Sequence, residues 1–224
     1  MKNLLIKIPI LGHLAAKIGT IFLTRRFQGS AVYWIQRYEK GGDSGAGSYQ
    51  KFAEFKAEVL NDFVEKNNVK SVIEYGCGDG NQLRLARYPT YVGFDVSDRA
   101  ISLCREIFSS DHSKQLKLMQ DYNGERAELA ISLDVIYHLT EDDVFEAYMK
   151  RLFDSSDRYV VIYSSNTGEQ AKTQAPHVRH RKFTQWVEKN VPSWKLVQHI
   201  PNRFPYTGNE RKGSFADFYI YEKA

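Results

Sequence analysis

The sequence predicts an α/β fold: a doubly wound, mostly parallel sheet of seven strands with an antiparallel edge strand, preceded by an N-terminal helical arm. Three observations carry this. Short apolar runs alternate with amphipathic stretches from residue 49 onward, and such alternation implies right-handed crossover units with helices on both faces of the sheet. A glycine-rich turn follows the first of the apolar runs directly. The last two runs have no helix between them, which predicts an antiparallel hairpin at one edge.

The elements are read in order. Residues 4–23 are rich in apolar side chains but are interrupted by Lys7, Pro9, His13 and Lys17, so they form neither a membrane span nor a clean signal peptide. Ile10, Leu11, Leu14, Ile18, Ile21 and Phe22 share one helical face. The helix they predict caps the domain; the competing reading lays it on a membrane surface as a peripheral contact. The breaker-rich run Gly41-Gly42-Asp43-Ser44-Gly45-Ala46-Gly47-Ser48 is a loop. It separates an arm, residues 1–48, from a main domain, residues 49–224. Residues 49–66 carry Phe52, Phe55, Val59, Leu60 and Phe63 at helical spacing. Strands are predicted at 71–75, 91–95, 115–119, 128–133, 158–163, 195–199 and 214–221. Helices are predicted at 81–87, ended by Pro89; at 98–108, capped by Asp98; at 141–153; and at 183–190.

The chain has 224 residues, 42% hydrophobic and 26% charged, with a formal charge of +4. That length supports one sizeable core and not two. The small net charge argues against a general nucleic-acid binder. Cys77 and Cys104 show no metal-type spacing and fit a reducing, cytoplasmic setting.

The chemistry begins at Val72-Ile73-Glu74-Tyr75-Gly76-Cys77-Gly78-Asp79-Gly80. Glycines at the carboxyl end of a parallel strand let the backbone approach a ligand. The dinucleotide spacing Gly-x-Gly-x-x-Gly is absent, as is a phosphate loop. An acid, Glu74, stands in the strand, and Asp95 ends the next one about 20 residues later, where a ribose-binding acid belongs.

This combination resembles the class I S-adenosylmethionine-dependent methyltransferases, over about residues 71–152, and implies a Rossmann-like sheet with that cofactor. The resemblance implies that Gly76, Cys77, Gly78, Gly80 and Gln82 pack around its methionyl part near Glu74. It implies that Asp95 and Val96 meet the ribose, Asp121 and Tyr122 the adenine, and Leu133 the wall beside them. Ser132-Leu133-Asp134-Val135-Ile136-Tyr137-His138-Leu139 stands where the family places its acceptor. His138 is the candidate general base, since an imidazole can take a hydroxyl proton near neutrality, with Asp134 and Tyr137 beside it. The Pro-Pro motif of amino-group DNA methyltransferases is replaced by Asp-Val-Ile-Tyr. In His177-Val178-Arg179-His180-Arg181-Lys182, and at Arg203, basic groups could hold an anionic acceptor; the competing reading is a solvated face. His177 and His180 have no third partner for a metal. The 41–48 loop, with Tyr33, Trp34, Tyr38 and Tyr49, could close over the cofactor; otherwise these aromatics are plain core. The motifs together resemble small-molecule methyltransferases of bacterial capsule and surface-polysaccharide biosynthesis. That resemblance implies a small-molecule acceptor such as a sugar, a sugar nucleotide or a phosphoramidate. The oligomeric state is left open.

Overall fold

The computed structural model describes residues 27–224, apart from positions 173 and 210. The amphipathic helix expected over residues 10–22 lies outside them.

Seven strands form one sheet in the order β3-β2-β1-β4-β5-β7-β6. They are β1 (Ser71–Tyr75), β2 (Thr90–Asp95), β3 (Lys114–Leu118), β4 (Ala127–Leu133), β5 (Ser156–Ser164), β6 (Trp194–Ile200) and β7 (Asp217–Lys223). The helices are α1 (Ser30–Glu39), α2 (Gln50–Lys66), α3 (Asp98–Ile107), α4 (Asp142–Asp154) and α5 (Phe183–Asn190). β1 pairs in parallel with both β2 and β4. The chain order therefore reverses at β1, and a crevice opens beyond the carboxyl ends of β1 and β4.

β1, β4 and β5 are buried along nearly their whole length, as strands covered on both faces must be. On one face Val72, Leu129, Ile131 and Val161 pack with Phe55, Leu60 and Phe63 of α2 and Ile101 and Cys104 of α3. On the other, Ile73, Ala130, Val160 and Ile162 meet Phe145, Met149 and Leu152 of α4 and Phe183 and Val187 of α5. α1 is tied to the body at its first residue: Ser30 donates its backbone N–H and its hydroxyl to the two carboxylate oxygens of Glu141, at 2.8 and 2.7 Å. An acid at a helix N-terminus satisfies unpaired amides and suits the helix dipole.

Four details differ from the sequence expectation. The hairpin at the edge is made by β6 and β7, but β7 is inserted between β5 and β6 and runs antiparallel to both. β7 starts at Asp217 rather than at 214, because the amide of Ser214 is taken by the carbonyl of Phe204. The helix expected over 81–87 is a single 3-10 turn, Leu83–Leu85; Pro89 drives its predecessor out of helical geometry, which leaves too few residues to propagate a helix. Finally, Ser97 and not Asp98 caps α3, its hydroxyl accepting from the amide of Ala100 at 3.3 Å. Asp98 lies in the first turn.

Candidate active site

At the crevice the glycine loop is pinned from below. The amides of Gly76 and Cys77 both donate to the carbonyl of Phe94, at 2.7 and 3.0 Å. Asp95 is buried and its two oxygens accept from the amides of Gly78 and Ser97, at 3.0 and 2.9 Å. Burial raises its pKa, partly offset by those amides. Gly76 and Gly78 have φ of +85° and +60°. A Cβ on Gly76 would lie 2.5 Å from Cγ2 of Val135, and one on Gly78 only 2.3 Å from Oγ of Ser44. Both positions need glycine for conformation and for space.

Ser44 belongs to the 41–48 loop, which folds down onto the glycine loop. Oδ2 of Asp79 accepts from the amide of Ser44 at 3.0 Å and the hydroxyl of Tyr49 at 2.7 Å. The amide of Asp79 donates back to Oγ of Ser44 at 3.0 Å, and Tyr38 shares a 2.7 Å hydrogen bond with that same hydroxyl. α1 and the loop thereby roof a cavity of about 300 Å³. Trp34, Tyr38, Glu74, Gly76, Cys77, Gly78, Gln82, Asp95, Val96, Leu133, Asp134 and His138 line it. Glu74 is buried, accepts a 2.6 Å bond from the hydroxyl of Tyr91, and has its pKa pushed up to about 7 by burial.

A second cavity, about 220 Å³, opens beside the first. Its walls include Tyr33, Tyr137, His177 and Phe215, and it shares Trp34, Ser44, Asp134 and His138 with its neighbour. These four mark the neck. Asp134 adopts φ +60°, a left-handed conformation that Asp tolerates better than most residues. Its carboxylate is held from two sides, by the hydroxyl of Tyr137 at 2.8 Å and by Nζ of Lys56 at 2.6 Å. His138 is mostly buried; its Nδ1 bonds the carbonyl of His177 at 2.9 Å, which makes Nδ1 the protonated nitrogen and leaves the lone pair on Nε2. Burial pushes its pKa down to about 4, so the imidazole is neutral near pH 7.

The remaining expected residues lie elsewhere. Gly80 faces α3, where a Cβ would lie 2.6 Å from Sγ of Cys104. Asp121 is exposed, and Tyr122 packs edge-on against Tyr75 and Phe94; neither lines the cavity, whereas Met119 does. Arg179 and Arg181 bond the carbonyl of Thr140 and pair with Asp142. Arg203 forks onto Glu58 at 2.6 and 2.8 Å. His180 bonds the hydroxyl of Ser165 at 2.6 Å. Of the basic cluster only His177 and Val178 reach the second cavity, the imidazole stacked on Tyr33 at 4.1 Å. The arginines clamp the 177–182 segment onto the start of α4 instead of offering free cations.

Lys56 was not anticipated. Its signal was a lysine inside the apolar stripe of α2, four residues from both Phe52 and Leu60; a charge at a core position must find a partner. Ser30 with Glu141, and Ser44 with Asp79, are joined across 111 and 35 residues and left no local trace.

The sheet and the crevice together define a Rossmann-like methyltransferase fold. The chain belongs to the family described as "Methyltransferase domain", whose profile matches residues 49–204; it is a methyltransferase. No curated protein sequence matches it. Among solved structures, it is similar to the N-methyltransferase NodS from Bradyrhizobium japonicum WM9 in complex with S-adenosyl-L-homocysteine. The TM-score is 0.67 at 13% identity, over 85% of this chain and 98% of that one. It is also similar to magnesium protoporphyrin IX methyltransferase from Synechocystis PCC 6803 with bound S-adenosylmethionine (TM-score 0.57, 14% identity, 79% and 86% covered). A third is the methyltransferase domain of bacterial CtHen1-C (TM-score 0.57, 19% identity, 75% and 96% covered). At these identities the likeness is one of fold.

Proposed function

We propose that this chain transfers a methyl group from S-adenosylmethionine to a hydroxyl of a small, sugar-linked acceptor. The observation that carries the reading is the pair of cavities joined at Trp34, Ser44, Asp134 and His138, one for each reactant.

The larger cavity fits the donor. Asp95 keeps further lone pairs for two ribose hydroxyls while its amide bonds hold it still. Oε1 of Gln82, buried in the same wall, has no hydrogen-bond partner among the described residues and suits a donor such as an ammonium group. Bound there, S-adenosylmethionine supplies a methyl group on a positively charged sulfur, open to in-line displacement without a metal. Trp34 and Tyr38 set aromatic rings along this cavity, and π faces attract cations. The roof of α1 and the 41–48 loop excludes water, and positioning accounts for much of the rate.

In the smaller cavity the aromatic walls suit the apolar face of a ring. At the neck, the acceptor's O–H donates to Nε2 of His138, which takes the proton as the oxygen attacks, while Asp134 accepts from a neighbouring hydroxyl of the acceptor. Of the acceptors the sequence resemblance implied, this favours a sugar hydroxyl. A phosphoramidate or phosphate oxygen would meet the Asp134 carboxylate, and the arginines that could have offset its charge are already paired. The place in surface-polysaccharide biosynthesis rests on the motif resemblance. A cytoplasmic setting fits two buried free thiols; the expected membrane-surface contact rests on residues 10–22. No helix among the described residues is long and apolar enough to cross a membrane.

The test is a mass-spectrometric screen for methyl addition, offering nucleotide-linked sugars, phosphoramidates, short RNAs and peptides with S-adenosylmethionine. Transfer to a sugar hydroxyl is expected; transfer only to RNA or peptide overturns the reading. With the true acceptor in hand, His138→Ala should lower kcat by about 100-fold or more, and near-normal turnover sinks the base assignment.

A further inference from the structure

Among the described residues, the wall of the smaller cavity carries two formal charges, Asp134 and Arg37. Asp134 stands at the neck and is paired with Lys56. Arg37 lines the smaller cavity alone. Its Nε donates to the carbonyl of Asp43 at 2.6 Å and its Nη2 to Oδ1 of Asp43 at 2.8 Å. The Tyr33 hydroxyl is its other polar neighbour. A guanidinium carries five N–H donors, so this fork is underfilled. Asp43 is also a weak competitor: its side chain is 56% exposed, and surface ion pairs contribute little. Arg37 and His138 pack on the same indole. Cζ of Arg37 lies 5.6 Å from the centre of the Trp34 ring, and the His138 ring meets it edge-on at 4.9 Å. Burial lowers the pKa of both His138 and His177, and the Arg37 charge lowers both further, so the cation stands close to each. Arg179, Arg181 and Arg203 line neither cavity.

Resting on the sugar-hydroxyl reading above, we propose that Arg37 binds a phosphate group of the acceptor, which makes the acceptor a phosphorylated sugar with its hydroxyl at the neck and its phosphate at Arg37. The planar fork matches two phosphate oxygens, and the Trp34 ring, in contact with both Arg37 and His138, meets the apolar face of the sugar between them. The phosphate is a handle and is not itself methylated. The Asp134 carboxylate repels an anion from the neck, while Arg37 draws it to the wall that the donor cavity does not share. Arg37 is thus a specificity residue, selecting charged sugars over neutral ones.

The experiment is calorimetric, on the chain loaded with S-adenosylhomocysteine. Wild type, Arg37→Gln and Asp43→Asn are titrated with glucose 1-phosphate, UDP-glucose and the neutral methyl α-glucoside. Wild type should bind the phosphorylated probes at least about 10-fold more tightly than the glucoside, the size of a charge-assisted hydrogen bond. Arg37→Gln should lose that preference while keeping its affinity for S-adenosylhomocysteine. Either source of phosphate supports the proposal: tighter binding of UDP-glucose than of glucose 1-phosphate marks a nucleotide carrier, and equal affinities mark a free sugar phosphate. Asp43→Asn removes the competing charge and should tighten both phosphorylated probes by about threefold; it decides the matter if Arg37→Gln fails to bind S-adenosylhomocysteine. Binding of neither phosphorylated probe by wild type would overturn the proposal, as would an unchanged preference in Arg37→Gln. The hydroxyl reading fails separately, through methyl transfer only to RNA or peptide in the screen above.

Discussion

Glu74 shows how a single side chain can be set by its surroundings. Its carboxyl is buried with one strong donor, Tyr91, and its pKa is raised from 4.5 to about 7. Between those values the unfolded chain has released its proton while the folded chain keeps it. Stability from this group is therefore intact below about pH 4.5 and falls as pH rises to about 7. Glu74→Gln should stabilise the ligand-free protein more at about pH 8 than at about pH 5, by up to about 3 kcal/mol. Denaturant unfolding at the two pH values measures this, and an equal effect at both would refute it. His138 is shifted the opposite way, to about 4 by burial. A base with that value imposes no acid limb on kcat in the neutral range. The pH–rate profile between about pH 6 and 8 should be free of an inflection from His138; one that disappears in His138→Ala would show that the ring titrates there.

At the scale of elements, the roof over the larger cavity is held by few bonds. Asp79 alone accepts from Ser44 and Tyr49, and both partners lie in or beside the 41–48 loop. The bonds cross between two loops, so opening the roof costs little core packing. Asp79→Ala should speed the release of S-adenosylhomocysteine by roughly tenfold, with a smaller effect on its association rate. Stopped-flow fluorescence from Trp34, which lines both cavities, gives the readout. An unchanged off-rate would mean that the roof is not the gate. Gly78 limits the same device from below, since any Cβ there would strike Ser44 and lift the loop.

For the whole molecule, the cavity proposed for the donor is walled by α1, the 41–48 loop, α2 and the ends of β1, β2 and β4. A ligand touching so many elements and binding only the folded state stabilises it by mass action. S-adenosylhomocysteine at about 100 times its Kd should add about 2.7 kcal/mol, a rise in Tm of roughly 5–10 °C for a chain of this size. Asp95→Ala should abolish most of that rise at the same ligand concentration. An undiminished shift would remove Asp95 from the ribose site.

The layers, the glycine loop and the two acids of the cavity wall were legible in the sequence. Those features follow from local rules: apolar periodicity, the conformational freedom of Gly76 and Gly78, and the spacing of Glu74 and Asp95 along adjacent strands. Pairing at long range was decided only by the tertiary structure. The basic run at 177–182 looked like an anion site, but Asp142 and the carbonyl of Thr140 lay folded against it. Asp121 stood at the right distance along the chain, yet the 3-10 turn Met119–Asp121 leaves it exposed while Met119 takes the wall. Lys56 and Asp134 are 78 residues apart and meet at 2.6 Å. A charge is made a ligand or a strut by which opposite charge arrives first in space, and order along the chain carries no record of that.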